Sequence, residues 1–572
     1  MQKLTLLPIP HLLVPLALAL GACSTDDDGK AVESISGSGS DTESTSDSGE
    51  STAGTSATAS SGTSGSGSGS SSSATTGESA TTDAGTTDPG TTTGAPFEPY
   101  PARNLKVARV LASQGVAIPI AENGEWVGGA DRNAPIVARR RTMIQAVWER
   151  EPGFEAREIR GVLTLTLADG TTQVASQTVL VDNDSNERFL NRSFYWVLPP
   201  EFIEPNLRFQ IELFETQPGY EDQPDVGSKA FNGEPSPVGV EDSYMNLRAV
   251  IVPIRHESSS GCVGEAPTVT DADLEFMAKE INAQNPVEFV DIRVTEPVTY
   301  QGALSSFSPL LNFLATEVRP NDPDEDVSEY YYGVVRPCDG GAQGVGGQAI
   351  DIPSFPTKSN GWSRVSMGRW YGTIGSTTET FVHEVGHSQG RRHIDCGGAA
   401  GTDPRYPYEG GDIGVVGFHI FNFSTIGTTS KDYMTYCGPT WVSDWGWNQV
   451  YPFIEEISSW DNEAPAPAPG GQVLVGMIDP DGLETWFVVE GTLDGMQTTP
   501  ASVVLDTAEG RFTLPAATSD VDGGTVSYAV ALPSSAHGLR GVAKATRIAH
   551  DGSAHAVALP NVTVPARLRA AD

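Results

Sequence analysis

Between residues 100 and 245, apolar and polar positions alternate with a period of two. Leu207, Phe209, Ile211 and Leu213 are separated by Arg208, Gln210 and Glu212, which gives one apolar and one polar face, as in a half-buried strand. Leu163, Leu165 and Leu167 alternate with Thr164 and Thr166. Asp169 and Gly170 then supply turn chemistry for a hairpin into 174–181. Ile144, Ala146 and Trp148 mark a further strand. This spacing predicts an all-β sandwich over 97–245. Alternation returns at 472–572, where Asp551 and Gly552 sit between two strand-like runs, and a second small sandwich is expected there.

The pattern between these regions is different. Residues 247–254 read as an apolar strand. Thr270 is placed to open a helix, with Leu274, Met277, Ala278 and Ile281 on one face. Strands are expected at 287–294, 330–335, 344–350 and 364–370, and a second helix at 304–317. Helices alternating with strands predict a mixed α/β layer over 246–462. Residues 463–471, rich in Pro and Ala, read as a semi-rigid linker.

The start of the chain has no such periodicity. Residues 23–96 are Ser, Thr, Gly, Ala and acids, with Val32 and Ile35 the only bulky aliphatics before Pro96. Too little apolar surface is available to offset the entropy of ordering, so a disordered tether is expected. Residues 1–22 carry Lys3 and then an apolar run broken by Pro8, Pro10 and Pro15, which suits a cleaved leader better than a spanning helix.

The densest chemistry lies at 376–396. His383, Glu384, His387, Gly390 and His393 form HExxHxxGxxH. Ser376 and Glu379 are spaced as a capping box, which predicts a helix starting near Thr377. His383 and His387 then share a face one turn apart and can grip one ion. Glu384 points off that line, free to act on water. Gly390 can end the helix in a left-handed conformation, so that His393 returns as a third ligand. Three nitrogen ligands leave one tetrahedral position open, as in catalytic zinc sites. The alternative, a helix with unconnected histidines, has to place five matching positions by chance in a chain with nine His.

The stretch resembles the long zinc motif of the metzincin metallopeptidases. In that clan a methionine turn lies beneath the metal, and Met434, in the run Asp432, Tyr433, Met434, Thr435, Tyr436, Cys437, resembles it. Tyr436 stands where astacin-like and serralysin-like members place a metal-facing tyrosine. The resemblance implies that the segment after the methionine walls the substrate pocket, with Pro439 and Trp441 as candidates. Packing of the tryptophans against a helix near 448–458 is the competing reading. The resemblance covers 246–462. Leu20, Gly21, Ala22 and Cys23 in turn resemble a bacterial lipobox, which makes Cys23 the lipidation site, and Ser24 after it favours the outer membrane.

The net charge of −38 argues against nucleic acid as a partner, since phosphate binding needs a basic surface. Acidic clusters at 182–187, 322–326 and 479–481 invite Ca²⁺, but none has EF-hand spacing, and solvated loops are the better reading. With Cys23 lipidated, four cysteines remain, an even number for an oxidising compartment. Four cysteines allow three pairings. Cys262–Cys338 and Cys396–Cys437 are favoured, the second tying the loop past His393 to the methionine turn. A rival role for Cys262 is a latency cysteine capping the metal.

The expected fold is therefore multidomain: an α/β metzincin-like catalytic domain flanked by two all-β sandwich-like domains, after the disordered tether. The expected function is a lipid-anchored, extracytoplasmic zinc endopeptidase of the outer membrane or cell surface, acting on proteins or glycoproteins. His383, His387 and His393 hold Zn²⁺, Glu384 is the general base, and Tyr436 assists the oxyanion. A surface adhesin that keeps such a fold without activity is the alternative, and the intact Glu384 speaks against it.

Overall fold

Arg208–Glu215 is a strand, and its Phe209, Ile211 and Leu213 are buried. It belongs to a computed structural model that describes residues 3–5, 97–231, 233–462 and 470–569. The strand pairs antiparallel with Arg157–Thr166, which forms a hairpin with Thr172–Val181. Gly170 in the hairpin turn has φ +84°, a left-handed conformation that glycine adopts without Cβ strain. A second antiparallel sheet runs in the order Glu125–Trp126, Ala117–Glu122, Leu105–Ser113, Thr142–Arg150, Phe194–Leu198. Cys23, the tether and residues 463–469 of the linker lie outside the described residues, as does the expected leader apart from Lys3–Thr5. Those three residues pair antiparallel with Phe289–Val294.

The centre of the molecule is a mixed sheet. Its order is Lys3–Thr5, Phe289–Val294, Asn246–Glu257, Tyr330–Val335, Val365–Arg369, Gly347–Ala349. The inner strands are parallel and the two edge strands antiparallel. Alternation along Asn246–Glu257 sends Leu247, Ala249 and Ile251 to one face and Val250, Val252 and Ile254 to the other. The first face packs on two helices. One is Asp271–Gln284, opened by a capping box between Thr270 and Asp273. The other is Ile374–Ser388, which carries the histidines. The second face packs on the short helix Ser308–Phe313 and on the C-terminal region, through Val473, Val475, Met477, Phe487 and Val489.

That C-terminal region is one antiparallel sheet of seven strands, from Gln472–Ile478 to Ala554–Val557. Its other face carries its own core, including Trp486, Val503, Leu505 and Val530. The N-terminal sheets share a continuous core with the helix side of the mixed sheet. Arg140, fully buried, is part of that joint. It donates to the carbonyls of Gln114, Asn282 and Val287 and to Asn282 Oδ1, and lies over the Trp447 ring at 5.1 Å.

The expected fold class needs correction. The chain is mostly β, with 36% strand against 20% helix, and is not an α/β metzincin-type domain between two separate sandwiches. The reason lies in what covers the mixed sheet. An α/β layer requires helices on its faces, but the stretch 304–317 yields only the six-residue helix Ser308–Phe313 and a π-turn at Leu314–Val318. The seven-stranded sheet fills the remainder of that face, so residues read as an accessory sandwich become part of the central packing.

Candidate metal centre

The helix bearing the motif starts earlier than the capping-box reading predicts. It spans Ile374–Ser388 with Thr373 as an N-cap that makes no side-chain cap bond, which places Ser376 inside it. Thr377, Thr378 and Thr380 return their hydroxyls to the carbonyls four residues back, which satisfies them within the helix. Gly390, at φ +81°, stops the helix and turns the chain toward His393.

Each imidazole is held from behind by a backbone carbonyl. His383 Nδ1 donates to Tyr433 O at 2.7 Å, His387 Nδ1 to Arg391 O at 2.7 Å, and His393 Nδ1 to Ala400 O at 2.6 Å. A carbonyl can only accept, so Nδ1 carries a proton, and in the neutral ring each Nε2 then presents a lone pair forward. The carbonyls are themselves fixed. Arg391 is paired with Asp432 at 3.0 Å, both buried, and Asp432 also accepts from Met434 N and Ser443 Oγ. Orientation of metal-binding imidazoles by such outer contacts is the usual arrangement.

Met434 is fully buried beneath the helix. A Cβ on Gly386 would lie 2.6 Å from its Sδ, so glycine between the two helical histidines admits the methionine. Disulfides Cys262–Cys338 and Cys396–Cys437 are both formed. The second joins the loop after His393 to the methionine turn, and Ile394 N donates to Met434 O alongside it. The first removes Cys262 from any role over the metal. Tyr436 is partly exposed, and its Oη lies 3.2 Å from His393 Nε2. Pro439 is exposed, whereas Trp441 is buried and its indole N–H donates to Gly115 O. Trp441 thus sits in the joint with the N-terminal sheets, not on an open pocket.

The structure adds a fourth group that the sequence did not suggest. Asp522 lies in the turn Asp522–Gly524, between strands Gly510–Val521 and Thr525–Leu532 of the C-terminal sheet. Its carboxylate stands 2.8 Å from His387 Nε2, 3.3 Å from His393 Nε2 and 3.6 Å from His383 Nε2. Tyr436 Oη donates to it at 2.7 Å. An acidic turn in an ordinary hairpin, 129 residues from His393, carries no spacing signal that could have found it.

The ligand atoms of His383, His387, His393 and Asp522 all lie within 4.8 Å of one another, and this buried group could hold a metal ion. His383 Nε2 and Glu384 Oε2 are buried with no hydrogen-bond partner among the described residues. Buried acceptors without donors are costly, and a cation among them satisfies nitrogen and oxygen lone pairs together. The residues therefore fit a metal ion. Burial pulls the His387 imidazole down to about 4. Burial, reinforced by the Asp522 charge, pushes the Glu384 carboxyl well above the usual range. Burial opposes charge on Asp522 too, but His383 and His387 outweigh it and hold that carboxyl well below its ordinary value.

The acidic clusters are taken up by the protein's own donors. Asp184 meets Arg150, Asp322 meets Arg293 and Tyr331, and Asp479 meets Ser308 and Thr525. None belongs to a convergent metal-ligand group among the described residues.

No protein-family model matches the sequence, and no curated protein does. Among solved structures, the chain is similar to a Bacteroides uniformis β-glucuronidase at 12% identity and TM-score 0.13, over 45% of this chain and 26% of that one. It is also similar to Bacteroides uniformis β-glucuronidase 2 covalently bound to cyclophellitol-6-carboxylate aziridine, at 11% identity and TM-score 0.14, over 50% and 28%. The chain spans little more than a quarter of the length of either, and overlap this slight assigns neither fold nor activity.

Proposed function

We propose that this chain is an extracytoplasmic zinc-dependent endopeptidase acting on proteins or glycoproteins. The observation that carries the reading is the set of three imidazoles, each with Nδ1 bound to a carbonyl and Nε2 turned forward, beside the buried Glu384. The HExxHxxGxxH pattern and the methionine beneath it resemble metzincin sites. His383, His387 and His393 would hold the zinc, which supplies a Lewis acid for a carbonyl and a lower pKa for water. Glu384 takes a proton from the attacking water and hands it to the leaving amine. Tyr436 Oη, beside His393 and partly exposed, is placed to donate to the oxyanion.

The two disulfides fit an oxidising compartment, and Cys23 would carry a lipid anchor to the outer membrane or cell surface. A Cys23→Ser chain should leave the membrane fraction, and one that fractionates with its parent removes the anchor from this account.

Hydrolysis of a protein mixture by the zinc-loaded chain should stop on chelation. Glu384→Gln should keep its zinc and lose roughly 10²–10⁴-fold in rate. Tyr436→Phe should cost less than Glu384→Gln. A Glu384→Gln chain that cleaves at the parental rate overturns the assignment.

A further inference from the structure

Three observations concern access to the centre. The first is where Asp522 sits: its carboxylate lies among the three Nε2 atoms, at the position an open catalytic site leaves for water or substrate. The second is closure. His387 and His393 are 0% exposed, Glu384 1% and His383 9%, so no peptide reaches them while the turn is seated. The third is that the turn is seated by contacts of its own. Ser519 Oγ donates to the buried Asp351 Oδ1, and Gln348 Nε2 on the sheet's edge strand donates to Asp522 O at 3.4 Å. Gly523 and Gly524 both have φ +71°, and a Cβ on Gly523 would lie 2.9 Å from Val345. A Cβ on Gly401, in the loop anchoring His393, would lie 2.6 Å from Asp520. Val521 is buried in the core between the two sheets.

We propose that Asp522 is an internal inhibitor: the turn of the C-terminal sheet supplies the fourth ligand to the metal, fills the substrate position and keeps the peptidase latent until the turn is displaced. The inference rests on the zinc-peptidase reading. A permanently closed structural site is the competing arrangement, and Glu384 decides against it. A structural site with four ligands has no use for a fifth buried acid beside them, whose Oε2 finds no donor among the described residues. A catalytic site needs that acid there. Tyr436, which donates to Asp522 and is itself partly exposed, marks the side of the centre that lies nearest solvent.

Displacement transfers no covalent bond. The carboxylate leaves the metal position, water and a substrate carbonyl take its place, and Tyr436 Oη exchanges Asp522 for the substrate. A latent form favoured about 99 to 1 lowers apparent affinity for anything binding at the metal about a hundredfold.

The test uses the zinc-loaded full chain, Asp522→Ala, Asp522→Asn and the double variant Asp522→Ala with Glu384→Gln. Two quantities are read: hydrolysis of a quenched peptide library, and calorimetric binding of acetohydroxamate, a small anion that needs an open metal position. Asp522→Ala should raise hydrolysis and tighten acetohydroxamate binding by about 10²-fold. Asp522→Asn, which keeps the shape of the turn, should fall between, and it decides the matter if Asp522→Ala fails to fold. The double variant should keep the tightened binding and lose the hydrolysis. If neither Asp522 variant binds acetohydroxamate more tightly than the parent, latency is overturned, whatever the peptidase activity. If binding tightens and no variant cleaves peptide, Asp522 does close the metal position and the peptidase reading falls instead.

Discussion

The N-terminal sheets and the C-terminal sheet pack on the same central layer by different means. The N-terminal joint is made with buried, fully committed groups: Arg140 bonded to backbone carbonyls, Trp447 over it, and Trp441 bonded to Gly115. None of these residues belongs to the metal-ligand group among the described residues. The C-terminal joint combines an apolar sheet face with polar contacts such as Ser308 to Asp479, and one of its polar projections, the turn at 519–524, ends among the histidines. One joint therefore serves as scaffold, while the other is placed to govern access. Two β regions that look alike in sequence can differ in this way because a single turn residue, not the strand pattern, decides which of them reaches the chemistry.

The largest expected effect breaks the scaffold joint. Arg140→Ala removes the donor from five buried carbonyl and amide oxygens, each costing about 1–3 kcal/mol when left unpaired. A loss of roughly 4 kcal/mol or more is expected by denaturant unfolding, with unchanged metal content per folded chain. A small loss would mean that the N-terminal sheets dock loosely.

The governing joint should respond to pH. Burial pushes the Asp351 carboxyl up from 3.8 to about 6, offset in part by Ser519. The folded chain therefore binds this proton more tightly than the unfolded one. The penalty of its charge is fully present above pH 6, at most ~3 kcal/mol, and is relieved as the pH falls toward ~4. Thermal unfolding of Asp351→Asn relative to the parent should show a stability advantage that grows from pH 4 to pH 7. A difference independent of pH contradicts the assignment. Smaller still is Gly347→Ala. The added Cβ would lie 2.5 Å from Glu384 Oε1, on the edge strand above the helix. Displacing the base should cost about 10²-fold in hydrolysis without loss of metal.

The strands at 207–213 and 330–335 and the helix opened at Thr270 were legible because each is a local pattern: alternation, an apolar run, a capping box. The three histidines were legible because a helix turn and a glycine stop fix their spacing. The true helix start at Ile374 was not, because Thr373 makes no side-chain cap bond, while Ser376 and Glu379, inside the helix, carry the spacing of a capping box. Neither the strand-rich packing of the whole chain nor Asp522 was legible. Both arise from one sheet laid against another across a long sequence separation, and alternation states which face is apolar without stating what will cover it.

The central claim is that His383, His387 and His393 hold zinc with Asp522 completing the set. Zinc-edge X-ray absorption on the full chain and on His387→Ala and Asp522→Ala measures this directly. The expected result is a first shell of nitrogen and oxygen at about 2.0–2.1 Å with no sulfur, loss of zinc in His387→Ala, and retained zinc with an altered shell in Asp522→Ala. A full chain that takes up no zinc, or a His387→Ala chain with the parental spectrum, would contradict it.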